Sequence, residues 1–301
     1  MCVIFFTKFY KMSTKQVEIV LAPKQPHFVG DGFRVHNFIP SGYGLTMERM
    51  DPFIMLDYAS RYHFPPTGKP KGVGVHPHRG FETVTIAYKG SVAHHDSAGG
   101  GGEIKEGDVQ WMTAASGVLH KEYHAESFCA TGGDFQMVQL WVNLPAKDKM
   151  STPKYQAIDN SHIPKIKVDG GIVEVIAGSY QAHQGAASTF TPVNMLNAKL
   201  ASGGSAEFSF PTNHNTCILV IEGEVILNDT EDVPLDHLAL FKNEGESFTI
   251  KAMQNSIVLI LSGEPINEPI AAHGPFVMNT REQIMEAFQD YELGKFGELA
   301  D

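Results

Sequence analysis

A repeat constrains this chain more than any other feature of its sequence. Thr83-Val-Thr-Ile-Ala-Tyr-Lys-Gly90 lines up with Thr216-Cys-Ile-Leu-Val-Ile-Glu-Gly223 at an offset of 133 residues, and Asp108-Val-Gln-Trp-Met112 lines up with His237-Leu-Ala-Leu-Phe241 at an offset of 129. Each segment is β-branched or aromatic and of strand length. Two similar β-modules in tandem are the simplest reading. Further runs at Val17–Leu21, 136–144, 172–176 and 256–261 have the same character, with Gly, Pro, Asn and Asp between them. Helical periodicity is rare before residue 279, and strands without intervening helices predict sandwiches or barrels. The exception is Thr280-Arg281-Glu282-Gln283, which reads as a capping box. Ile284, Met285, Phe288 and Tyr291 then share one helical face, so a helix over about 281–292 is expected to pack on a barrel.

A length of 301 residues suits about two domains. Hydrophobic residues at 43% and charged residues at 19% give each half enough apolar surface for a core. The segment 144–164, with three prolines and several charges, reads as the connector. The expected division is an N-terminal extension over 1–12, disordered and with Met12 an alternative start, then modules over 13–148 and 149–301. Met1–Lys11 lacks the leading basic residues and the small-residue cleavage site of a secretory signal. No run of about 20 apolar residues is present to span a membrane. The net charge of −11 disfavours direct contact with a phosphate backbone but not with a protein. Cys2, Cys129 and Cys217 are few, odd in number and far apart, so no disulfide framework is implied, and the cytoplasm is expected, with the nucleus the alternative in a eukaryote.

Chemistry concentrates in two short clusters. Side chains alternate along a strand, so His76 and His78 point the same way and can chelate one ion, and Glu82 shares their parity. His120 and Glu122 form a second same-face pair, with His124 next in line. The clusters lie 42 residues apart (His78 to His120), room for a hairpin and a further strand, and antiparallel neighbours would bring the pairs face to face. Three imidazoles and a carboxylate suit Fe(II), and also Mn, Ni, Zn, Cu or Co. The absence of thiolates argues against a closed structural zinc site. A lone HxH on a strand is more often structural than a metal site; the second pair is what favours metal. His94-His95-Asp96 has ligand residue types, but adjacent residues face opposite ways, so at most one histidine reaches the ion. The run Gly99–Gly102 lacks the helix a phosphate cradle needs and reads as a hairpin loop. Arg79 is a candidate to orient His78 or a nearby carboxylate, and Trp111 and Trp141 are expected in the core.

These residues resemble the pirin family of the cupin superfamily. The matching stretches are His76-Pro-His-Arg-Gly-Phe-Glu-Thr-Val-Thr85, Gly107-Asp-Val-Gln-Trp-Met-Thr-Ala114, Gly117-Val-Leu-His-Lys-Glu122 and Gly274-Pro-Phe-Val-Met-Asn-Thr-Arg-Glu282. The resemblance runs from about Val17 to the end. It implies an all-β bicupin: two jelly-roll barrels with a short C-terminal helix and metal in the first barrel alone. It also implies that Glu122 is the fourth ligand beside His76, His78 and His120, leaving Glu82 as the competing carboxylate. On the repeat offsets, His76 and His78 fall on Ser209 and Pro211, and His120 and Glu122 on Thr249 and Lys251, a set that cannot hold a transition metal. His214, His237 and His273 form no same-face pair.

Similarity to pirins implies quercetin 2,3-dioxygenase activity, with Fe(II) favoured, a flavonol and O2 as substrates, CO as a product and Glu122 as general base for the flavonol 3-hydroxyl. The rival reading, also implied by the family, is a regulatory protein that binds a transcription factor or a metabolic enzyme, its iron acting as a redox switch. A third is a binding module without metal.

Overall fold

The computed structural model describes residues 13–41 and 44–300. The expected extension over 1–12 lies outside these residues. The fold is mostly β, with two barrel-like modules and a short C-terminal helix. In the first module a seven-stranded sheet runs in the order Lys154–Ile158, Val109–Thr113, Phe81–Lys89, Gly133–Asn143, Phe53–Phe64, Phe33–Ile39, His27–Val29. A four-stranded sheet, Gly72–His78, Val118–His124, Val92–Asp96, Gly101–Ile104, completes it. The repeat is visible in the pairing. Phe81–Lys89 lies between Val109–Thr113 and Gly133–Asn143, as Asn215–Glu222 lies between Leu238–Phe241 and Ser256–Gly263.

The two modules share one core. Val84, Trp111 and Leu140 of the first pack in the same cluster as Cys217, Leu240 and Leu261 of the second. These are alternate residues of their strands, so period-2 patterning builds the interface. The expected division at 148/149 cuts across strand pairs. Lys154–Ile158, inside the supposed connector, pairs with Val109–Thr113, and Val17–Leu21 pairs with Leu238–Phe241 of the second module. A sheet edge left with bare N–H and C=O groups is unfavourable, and each module closes one edge with a strand from within the other's expected range.

The helix Arg281–Glu292 forms with its capping box: Thr280 Oγ1 accepts from Gln283 N, and Gln283 Oε1 accepts from Thr280 N. Its buried face differs from the expected stripe. Ile284, Ala287 and Asp290 are buried, whereas Met285 is 66% and Tyr291 42% exposed. The helix turns Asp290 inward to meet Arg79 of the first module (Nη2–Oδ2 2.9 Å), on the same face that packs Ile284 and Ala287 against Phe276 and Phe296. Arg79 Nε also donates to the Ser116 carbonyl, and its guanidinium lies 4.7 Å over the Phe296 ring. Arg79 thus pairs with a carboxylate of the C-terminal helix. A second tie is Lys149, whose buried ammonium donates to the Gly80 carbonyl (2.8 Å), Asn143 Oδ1 (2.7 Å) and the Val277 carbonyl (3.0 Å).

Candidate metal centre

Gly72–His78 and Val118–His124 pair antiparallel with His120 opposite His76 and Val118 opposite His78. Alternation turns His76, His78 and His120 to the interior, where one ring nitrogen of each lies within 4.8 Å of the others. Their hydrogen bonds select that nitrogen. His76 Nδ1 donates to the Gly74 carbonyl (2.8 Å) and His78 Nδ1 to the Pro275 carbonyl (3.2 Å), which leaves Nε2 free on both rings. His120 Nε2 is buried with no hydrogen-bond partner among the described residues. Burial, with the neighbouring histidines, holds His78 down at about 3 and His120 well below the usual value. Both rings are therefore neutral at pH 7, as a metal ligand must be.

Glu122 joins through His120 and not as a fourth equal member: it groups with His120 and His94. The pairing with Gly72–His78 carries a register shift between His120 and Glu122, so Glu122 stands opposite Val73. Three donors hold its carboxylate. Thr85 Oγ1 and Gln110 Nε2 reach Oε1, each at 3.3 Å, and Gln139 Nε2 reaches Oε2 at 2.7 Å. These donors belong to one row across neighbouring strands, in which Gln110 stands opposite Thr85, Thr85 opposite Gln139, Gln139 opposite Asp57 and Asp57 opposite Asn37. This polar belt sits in a wall that is apolar at Met137, Ala59 and Ala87. Sequence spacing gave no sign of it, because cross-strand neighbours depend on register.

Glu82 is not among the grouped side chains. Its strand begins at Phe81, after a turn at Gly80 with φ of 92° where a Cβ would meet the Val277 carbonyl oxygen, so parity does not carry from His78 to Glu82. Glu82 shares its face with Val84 and Ile86 of the inter-module core and accepts from Thr113 Oγ1 (2.7 Å). His124 is likewise apart: it is buried among Phe33, Phe64, Phe128 and Phe135. His94 is the inward member of its pair. It stands opposite Glu122, bonds Asp96 Oδ2 (3.2 Å) and Gln110 Nε2 (2.9 Å), and lies 3.4 Å from His120 Nδ1, while His95 is exposed.

His76, His78 and Glu122 open onto a cavity of about 360 Å3. Val29, Phe33, Val35, Met55, Val73 and Met137 give it apolar walls. Trp141, expected in the core, lines this cavity, stacked on Phe81 at 4.2 Å. Gly274 and Pro275 bring the C-terminal segment to its rim. Three imidazole nitrogens, one of them orphaned, beside an oriented carboxylate fit a divalent transition ion.

The second barrel fills the same place with hydrocarbon. There Phe208 stands opposite Phe248, as His76 stands opposite His120, with their rings stacked at 5.4 Å. Phe208, Phe210, Phe248 and Ile250 thus take the four positions. The repeat offsets used above run one residue long here, and the partly exposed Thr249 and exposed Lys251 face outward.

Comparison with known proteins agrees with this architecture. The family model described as Pirin matches residues 32–142, and the one described as Pirin C-terminal cupin domain matches residues 195–297. The chain belongs to the pirin family. A pirin of Homo sapiens is 36% identical over 95% of each chain. A Pseudomonas aeruginosa protein provisionally named quercetin 2,3-dioxygenase PA2418 is 46% identical over 90% of this chain and 94% of its own. The crystal structure of quercetin 2,3-dioxygenase from Acinetobacter baumannii superposes with a TM-score of 0.90 at 48% identity, covering 96% of this chain and all of the other.

Proposed function

We propose that this pirin-family chain is a metal-dependent dioxygenase that opens flavonols such as quercetin, with Fe(II) the favoured ion held by His76, His78, His120 and Glu122. The observation that carries the reading is the orphaned, buried His120 Nε2 beside two further imidazoles at the floor of an apolar cavity. The names of the relatives above support the substrate class. A bound ion would supply Lewis acidity at the flavonol 3-hydroxyl and the electronic coupling to O2. The chain supplies the rest. The walls exclude water and suit a planar aromatic guest. Trp141 and Phe33 flank that space. On partial dissociation from a bound ion as substrate enters, Glu122 would take the proton of the 3-hydroxyl, its oxygens aimed by Thr85, Gln110 and Gln139.

The test is quercetin consumption in air by the Fe(II)-loaded protein beside His78→Ala, with bound iron measured in both. Turnover that disappears with the mutant's iron supports the proposal. If the wild type binds iron and consumes no flavonol, the enzyme reading fails, and an iron-dependent regulator that binds a protein partner takes its place.

A further inference from the structure

The polar belt contains a carboxylate, Asp57, that the chemistry above does not use. Asp57 is partly buried on the cavity wall, one strand beyond Gln139 and thus roughly 4.8 Å further along the sheet. Among the described residues, one hydrogen bond reaches it: Asn37 Nδ2 donates to Oδ1 at 2.8 Å. Asn37 is fixed in turn, since the same nitrogen donates to the Ile39 carbonyl at 3.0 Å. Oδ1 is therefore held and Oδ2 is left for the cavity. Its lining neighbours Met55, Met137, Val35 and Phe33 offer no donor. Asp57 is only partly buried, and a guest that fills the cavity would cover Oδ2; a carboxylate oxygen withdrawn from water without a donor is costly, so the site favours a guest that brings one.

We propose that Asp57 is a specificity-determining residue, accepting a hydrogen bond from a ligand hydroxyl remote from the metal-binding edge. The guest it selects is a planar polyphenol, with a chelating oxygen pair at one end and a phenolic O–H at the other. An unsubstituted aromatic chelator leaves Oδ2 desolvated and unpaired. A phenol donating to a carboxylate makes a charge-assisted bond, stronger than a neutral one. The inference rests on the flavonol reading of the same cavity and adds the feature by which one flavonol is told from another.

The experiment compares quercetin with 3-hydroxyflavone, which shares the 3-hydroxy-4-keto edge and lacks the other hydroxyls. Binding to the metal-loaded protein is measured without O2, by quenching of tryptophan emission, since Trp141 lines the cavity, and by calorimetry. The wild type is expected to prefer quercetin by about tenfold or more. Asp57→Asn and Asp57→Leu are each expected to bring the two ligands within about threefold, chiefly by weakening quercetin. Retained 3-hydroxyflavone affinity shows that the variants are folded, and a merely structural role for Asp57 would weaken both ligands together. An unchanged preference in the variants overturns the anchor and leaves the flavonol reading standing. Failure of both ligands to bind the wild type overturns both.

Discussion

Glu82 is an acid held in an environment that suits its neutral form. Burial pushes its carboxyl up to about 7, against the pull of the Thr113 hydroxyl. Its folded value lies above the unfolded one, so its contribution to stability is fully present below about pH 4.5 and is lost as pH rises through 7. Glu82→Gln is isosteric and keeps an acceptor for Thr113. It is expected to raise the unfolding free energy at pH 8 by up to about 3 kcal/mol, with little change at pH 5, as read in denaturant titration. Equal effects at the two pH values would refute this. Gln139 tests the centre from another side. If Glu122 binds the ion, Gln139→Leu frees its carboxylate to swing and is expected to cost about 10- to 100-fold in metal affinity. Competition with a chromophoric chelator measures it. Glu82 also marks where parity reasoning stops. Period-2 alternation correctly joins His76 to His78 within one strand, and it fails at Glu82 because Gly80 ends that strand.

At the scale of elements, the C-terminal helix was readable in its bounds and its capping. A hydroxyl at Thr280 and an amide at Gln283 satisfy local donors, which are properties of sequence separation alone. Thr280→Ala is expected to cost about 1 kcal/mol and to speed amide exchange in the first turn. The buried face of that helix was not readable, since the Arg79–Asp290 contact spans 211 residues. The belt of Gln110, Thr85, Gln139, Asp57 and Asn37 escaped for the same reason: its members come from five strands and meet only through register. The second barrel shows what such a position does without chemistry. Phe208 and Phe248 pack its centre, and Phe208→Ala is expected to destabilise the protein by roughly 3 to 5 kcal/mol in denaturant titration.

The whole molecule is more interlocked than two beads on a string. The shared core and the crossed edge strands mean that fragments cut at 148/149 each expose an apolar face and one bare sheet edge. Each fragment is expected to associate or precipitate when produced alone, and co-production is expected to restore a soluble complex; size-exclusion chromatography reads both. The tandem order of the modules was legible in the repeat, and the crossing was not, because Val17–Leu21 and Lys154–Ile158 look like any other short strands until their partners are known. The crossing also sets a timetable. Leu21 pairs with Leu238, 217 residues later in the chain. At a synthesis rate of about 5–20 residues per second, that first strand spends roughly 10 to 40 s outside the ribosome before its neighbour exists. It is only five residues long and carries a charge at its second position, Glu18, and a short strand interrupted by a charge is poorly suited to wrong pairing during such a wait.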